Sequence, residues 1–132
     1  MILVDANVLI DLATNDRKWA NWSRNALLKA GNRDQLAINP IVFAEVSLSY
    51  PTVEAMDAAL PPEDFARLGL PYAAGFLAGV AFRKYRKSGG AKTSPLPDFY
   101  IGAHAAVDGM ELLTRDRARY VTYFPTVVLI AP

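Results

Sequence analysis

An uninterrupted apolar run, Met1 to Val4, ends on Asp5, and apolar residues resume at Val8 within MILVDANVLID. A short run without polar alternation is the pattern of a strand buried on both faces, as in a parallel sheet covered by helices. Asp5 then falls at the strand's carboxyl end, the edge where open parallel sheets bind their ligands. A carboxylate there is costly to desolvate unless a cation, a partner or a hydrogen-bond donor meets it. Asn7 carries a short amide able to fix a neighbouring carboxylate or a water. The competing reading is structural: Asp is a favoured cap, and a helix beginning near Asn7 would use one. Asp5 alone does not decide between them.

The rest of the chain alternates helix and strand signals. Trp19, Trp22, Ala26 and Ala30 recur at helical spacing, predicting a helix over Lys18–Ala30 stopped by Gly31 and Asn32. At that spacing the two tryptophans read as packing residues rather than stacking platforms for bases. Leu36–Ile38 is a strand, and Asn39-Pro40 opens the next helix, with Ile41, Val42, Val46 and Leu48 as its apolar stripe. Glu45 lies within that stripe, and an inward acid must be compensated. Thr52–Leu60 reads as a helix, Phe65–Leu70 as a strand, and Pro71 as the start of a long helix to about Lys87. Gly75 and Gly79 in that helix would permit close approach of a neighbour. Ala91–Leu96 reads as a mobile loop. Pro97 opens a helix ending at Gly109, with Asp98 in its first turn and His104 as an ordinary packing or surface residue. Glu111–Thr114 is a strand, a short helix follows to about Tyr120, and Thr126–Ile130 is the last strand.

Alternation of this kind predicts an α/β fold with a mostly parallel sheet between helices. At 132 residues, with 52% hydrophobic and 20% charged, the chain suits one domain, 1–132, with a substantial core. The absence of cysteine rules out a disulfide framework and thiolate metal sites, which suits a reducing cytosol. Asp5 and Asp11 break the first apolar run and no basic leader precedes it, so a secretory signal is not expected. The longest uncharged stretch, Leu68–Phe82, is shorter than the ~20 residues of a membrane helix.

Two acids, Asp5 and Asp116, follow buried strands, and two more, Glu45 and Asp98, project from helices that must pack on the same sheet. Clustered carboxylates repel one another and hold their protons more tightly unless a cation neutralises them. An all-oxygen donor set indicates Mg²⁺ or Mn²⁺. The matching chemistry is phosphodiester hydrolysis by a metal-activated water. The net charge of +1 says little. Its distribution says more: if the acids converge, the remaining surface is net basic, which suits a polyanionic substrate. Arg83, Lys84, Arg86, Lys87 and Lys92, together with Arg115, are the candidate phosphate contacts, although cations at a helix end also suit its dipole.

With LVDANVLID, FAEV around Glu45, PDFYIGAHA around Asp98 and LLTRD around Asp116, the whole chain resembles the PIN-domain ribonucleases, and among them the VapC toxins of toxin–antitoxin pairs. The resemblance implies a three-layer sandwich with the first and fourth motifs on adjacent strands. It implies Asp5, Asp98 and Asp116 as metal ligands, Glu45 acting directly or through water, and Thr114 and Asn7 in support. It further implies a cytoplasmic endoribonuclease acting on RNA of the tRNA or ribosomal class, a small antitoxin partner and a homodimer. Three other readings compete. A doubly wound phosphatase with Asp5 as nucleophile would want a second Asp where Asn7 stands. A non-catalytic RNA- or protein-binding module of the same fold would not need four acids. A nuclease of RNA processing, without a toxin role, would need them all.

Overall fold

The structure is a computed structural model and describes residues 1–93 and 96–132. Its elements run β1 (Ile2–Val4), α1 (Ala6–Ala13), α2 (Ala20–Arg33), β2 (Leu36–Ile38), α3 (Pro40–Ser47), α4 (Val53–Ala59), β3 (Phe65–Arg67), α5 (Tyr72–Lys87), α6 (Pro97–Asp108), β4 (Glu111–Leu113), α7 (Ala118–Val121) and β5 (Leu129–Ile130). The strands form one sheet in the order β3-β2-β1-β4-β5, and every pairing is parallel. Ile2, Leu3 and Val4 are fully buried, as expected for a central strand covered on both faces.

That order fixes where a site can form. From β1 the chain moves outward to β2 and β3, then crosses back to β4 on the other side of β1. Right-handed crossovers place the helices of the two halves on opposite faces. In accord with this, α1 packs on α2 and α3, while α5 packs on α6 and α6 on α7. The crevice outside the carboxyl ends of β1 and β4 is therefore the switch point of the sheet.

Local chemistry explains most boundaries. Asn39 caps α3 by accepting from the Val42 amide at 2.9 Å, with Pro40 in the first turn, and Thr52 caps α4 by accepting from Ala55 at 3.1 Å. Gly109 ends α6 in the left-handed region at φ 64°, where glycine carries no side-chain penalty.

Several expectations are corrected. The second helix does not stop at Gly31 and Asn32 but continues to Arg33, because Gly31 packs against the Leu36 side chain. It also starts at Ala20, since the Asp16 carboxylate turns the chain by accepting from the Lys18 and Trp19 amides at 2.9 and 2.8 Å. The third strand ends at Arg67 and the last begins at Leu129, so both are shorter than their apolar runs. Leu48 lies beyond α3 and is 90% exposed, leaving Val42 and Val46 as the buried stripe. Gly75 and Gly79 face open space; α5 is buried instead through Ala74, Ala78 and Ala81. The close approach belongs to Gly102, against the Phe124 ring. Of the loop expected over Ala91–Leu96, Ser94 and Pro95 lie outside the described residues.

Candidate active site

Asp5 follows β1 directly and is 3% exposed. The capping alternative fails, because its side chain makes no cap hydrogen bond to α1. Three donors converge on its Oδ2 instead: the Tyr120 hydroxyl at 2.7 Å, the Thr114 hydroxyl at 2.9 Å and the Asn7 amide at 3.3 Å. Thr114, just past β4, accepts in turn from Asn7 Nδ2 at 3.2 Å and from the Asp116 backbone amide at 3.1 Å. Asn7 Oδ1 accepts from the Arg115 amide at 3.3 Å, so its orientation is settled from both ends. The two residues expected to play supporting parts thus lace the ends of β1 and β4 together.

The remaining acids come from helices and from the loop after β4. Asp98, in the first turn of α6, and Asp116, in the β4–α7 loop, share one guanidinium. Arg119 Nε meets Asp116 Oδ2 at 2.7 Å and its Nη1 meets Asp98 Oδ2 at 3.3 Å. Glu45 projects from α3 toward the same place, and its Oε1 is buried without a hydrogen-bond partner.

The electrostatics agree with a cluster. Burial raises the Asp5 carboxyl, against the Tyr120 and Thr114 hydrogen bonds that favour its charge. Burial also raises Asp98; Arg119 opposes that, while Asp5 and Asp116 reinforce it. Glu45 is pushed up to about 7, first by burial and then by the charges of Asp5 and Asp98. The Tyr120 hydroxyl is raised well above its ordinary value by burial and the same acids, so it remains a donor.

These shifts carry a pH prediction. The folded protein holds the Glu45 proton more tightly than the unfolded chain does, so raising the pH strips that proton at the expense of folding. Metal-free protein should therefore lose stability as pH rises from about 4.5 to about 7, and Asp5 and Asp98 act with the same sign. Glu45→Gln should flatten that slope in thermal melts with chelator. A slope as steep as that of the unmodified chain would place the titration elsewhere.

The donor set fits a hard divalent cation: carboxylate oxygens only, one of them buried and unsatisfied. Among the described residues no three Asp, Glu or His side chains already stand as a coordination shell. Arg119 lies between two of the acids.

Four features escaped sequence reading. Tyr120 and Arg119 are the neutral and the charged partner of the acids, and their only signal was helical spacing after Asp116. Asp11 is 1% exposed on α1, accepting from the Ser23 hydroxyl at 2.8 Å and pairing with Arg115 Nε at 2.8 Å. His104 is fully buried and bridges α3 to α6, with Asn39 Nδ2 at 3.1 Å from Nδ1 and Asp108 Oδ2 at 3.0 Å from Nε2. Because Asn39 Oδ1 is committed to the Val42 amide, Nδ1 must accept and Nε2 must carry the proton.

The basic candidates divide. Arg115 is anchored by Asp11 and lies 5.5 Å from the Trp19 ring centre. Arg86 donates to the Lys92 carbonyl at 2.7 Å and so holds the turn after α5, while Arg83, Lys84, Lys87 and Lys92 are exposed. Phe82 and Tyr85 pack on Phe99 at 6.1 and 5.6 Å between ring centres, which brings this basic helix end beside the first turn of α6. Trp19 and Trp22 are half-buried and meet edge-to-face at 6.2 Å.

The chain is thus an α/β domain with an all-parallel sheet and acids near the carboxyl ends of β1 and β4. The profile described as PIN domain matches residues 2–124, and the chain belongs to that family. Its fold is shared by solved toxin–antitoxin structures. VapBC2 from Rickettsia felis, bound to a DNA fragment from its promoter, superposes with a TM-score of 0.74 at 17% identity, covering 100% of this chain and 99% of that one. VapBC-1 from nontypeable Haemophilus influenzae gives 0.71 at 18% identity, covering 99% and 98%. A toxin–antitoxin complex from Klebsiella pneumoniae gives 0.67 at 24% identity, covering 97% and 96%. No curated protein matches the chain by sequence. No helix among the described residues is long and apolar enough to cross a membrane.

Proposed function

We propose that this chain is a Mg²⁺- or Mn²⁺-dependent endoribonuclease, and the toxin of a toxin–antitoxin pair. The observation that carries the reading is Glu45 Oε1, buried without a hydrogen-bond partner among the described residues and within reach of the charges of Asp5 and Asp98. A structural role would have given that oxygen a donor. Asp5, Asp98 and Asp116 would hold the cation, and a bound divalent cation supplies Lewis acidity and acidifies water. Glu45, acting directly or through water, takes the proton from the attacking water at Oε1, which accepts no hydrogen bond among the described residues. The water oxygen bonds to phosphorus, the bond from phosphorus to the leaving ribose oxygen breaks, that oxygen takes a proton from solvent, and Glu45 returns its own proton to solvent. Thr114, Asn7 and Tyr120 aim Asp5, and the Tyr120 and Thr114 hydroxyls favour its charged form against the effect of burial. Arg115, Arg83, Lys84, Arg86, Lys87 and Lys92 supply phosphate contacts for a tRNA or ribosomal RNA substrate.

Support for a partner comes from the solved neighbours, which are complexes with antitoxins. Exposed Leu48 and Val53 offer apolar surface on the Ile41–Leu60 segment for such a protein. An arginine from it would find carboxylates that already accept a guanidinium. We place the protein in the cytoplasm and read it as a homodimer. The test is incubation of the purified chain with total RNA, with Mn²⁺ or with chelator, followed by sequencing of new RNA ends. Discrete ends that appear only with the cation are expected. Intact RNA under both conditions, at protein levels that arrest growth on expression, would remove the nuclease reading.

A further inference from the structure

We propose that Arg119 is a built-in competitor for the cation site, holding Asp98 and Asp116 in the metal-free protein and releasing both when a divalent cation binds. The inference rests on the reading that these acids hold a cation. Its geometric basis is independent: one guanidinium uses two different nitrogens to join acids from two separate elements, α6 and the β4–α7 loop. The oxygens it occupies, Oδ2 of each acid, belong to the donor set. A guanidinium nitrogen 2.7 Å from a carboxylate oxygen places a fixed positive charge where a divalent cation on that oxygen would be repelled. The guanidinium also carries a charge that does not titrate away.

The local structure lets the side chain leave while the backbone stays. Tyr120, the next residue, is fully buried and locked on Asp5, so the start of α7 is fixed. The Arg119 side chain is 54% exposed, so its head reaches water by rotating about its stem. Asp5 differs from its neighbours: its donors are neutral hydroxyl and amide groups, which do not repel a cation. The centre thus has a fixed neutral scaffold on one acid and a removable charged latch across two. By linkage, the cation weakens the Arg119 pairs by the same factor by which Arg119 weakens the cation. The latch spares the metal-free protein the repulsion of its own acids and raises the cation concentration at which the centre forms.

The test is calorimetric titration of the whole chain with Mn²⁺, without RNA, alongside chelated and Mn²⁺-loaded thermal melts. The variants are Arg119→Gln, Arg119→Lys and, as control, Arg117→Gln. Arg117 is exposed and carries the same charge without touching these acids among the described residues. Arg119→Gln should bind Mn²⁺ roughly five- to tenfold tighter, at the low end of typical coupling factors. It should melt lower with chelator and gain more on Mn²⁺ addition than the unmodified chain. Arg119→Lys, with one ammonium for two carboxylates, should fall between. Unchanged Mn²⁺ affinity in Arg119→Gln, or equal tightening in Arg117→Gln, would overturn the latch. Absence of Mn²⁺ binding in every protein would instead overturn the cation reading itself.

Discussion

Asp98→Asn is expected to abolish RNA cleavage while leaving the metal-free protein as stable as before, or slightly more so. The two halves have one cause. Burial and the neighbouring acids already push Asp98 toward its neutral form, so an amide in its place is closer to what the empty site favours. Loss of the Arg119 contact offsets part of that relief, and the side chain is 24% exposed, so the net gain stays below about 1 kcal/mol. Cleavage has no such compensation. Disturbing the partners of a metal ligand alone costs ~10–100-fold, and removing the ligand's charge costs more. Asp5→Asn should also silence cleavage, but without the gain in stability, because three hydrogen bonds favour the Asp5 carboxylate. The checks are RNA-end mapping beside chelated melts. Cleavage by purified Asp98→Asn at the unmodified rate would remove Asp98 from the reaction.

The fold was legible because its signals are local and redundant. Met1–Val4 gave a doubly buried strand, Asn39-Pro40 gave a helix start, and Gly109 gave a stop. Errors arose where a local signal met a tertiary demand. Gly31 stayed helical to pack on Leu36, and Gly75 and Gly79 were read for a contact that Ala74, Ala78 and Ala81 make. Each acid of the candidate site was visible as a carboxylate in apolar company. What met each one was not, because a partner such as Tyr120 lies 115 residues from Asp5. Only the sheet order brings the ends of β1 and β4 together. His104 shows the same gap: the sequence left it as a packing or surface residue, while its link to the cap of α3 depends on how two helices cross.

Asp11→Ala is expected to destabilise the chain far more than Glu45→Gln does, and this separates two kinds of buried acid. Asp11 carries the same outward signal as Glu45, a carboxylate among apolar residues on a helix. Its charge, however, is met at Oδ2 by the Ser23 hydroxyl and Arg115 Nε, both at 2.8 Å. Removing it strands that hydroxyl, which is buried, and leaves Arg115 without its anchor. Breaking a buried pair costs ~3–5 kcal/mol, and because Arg115 is 31% exposed and can turn to water, about 2–4 kcal/mol is the expected loss. Urea unfolding should show it as a lower midpoint at unchanged slope. Asp11→Asn, which keeps an oxygen for Ser23, should lose less. Arg115→Met added to Asp11→Ala should restore part of the deficit, since the unpaired cation is then gone. Glu45→Gln, by contrast, removes a charge that nothing satisfies, and near pH 7 it should leave the metal-free protein no less stable. If Asp11→Ala proved as mild as Glu45→Gln, the Ser23 and Arg115 partners would not account for the stability Asp11 provides.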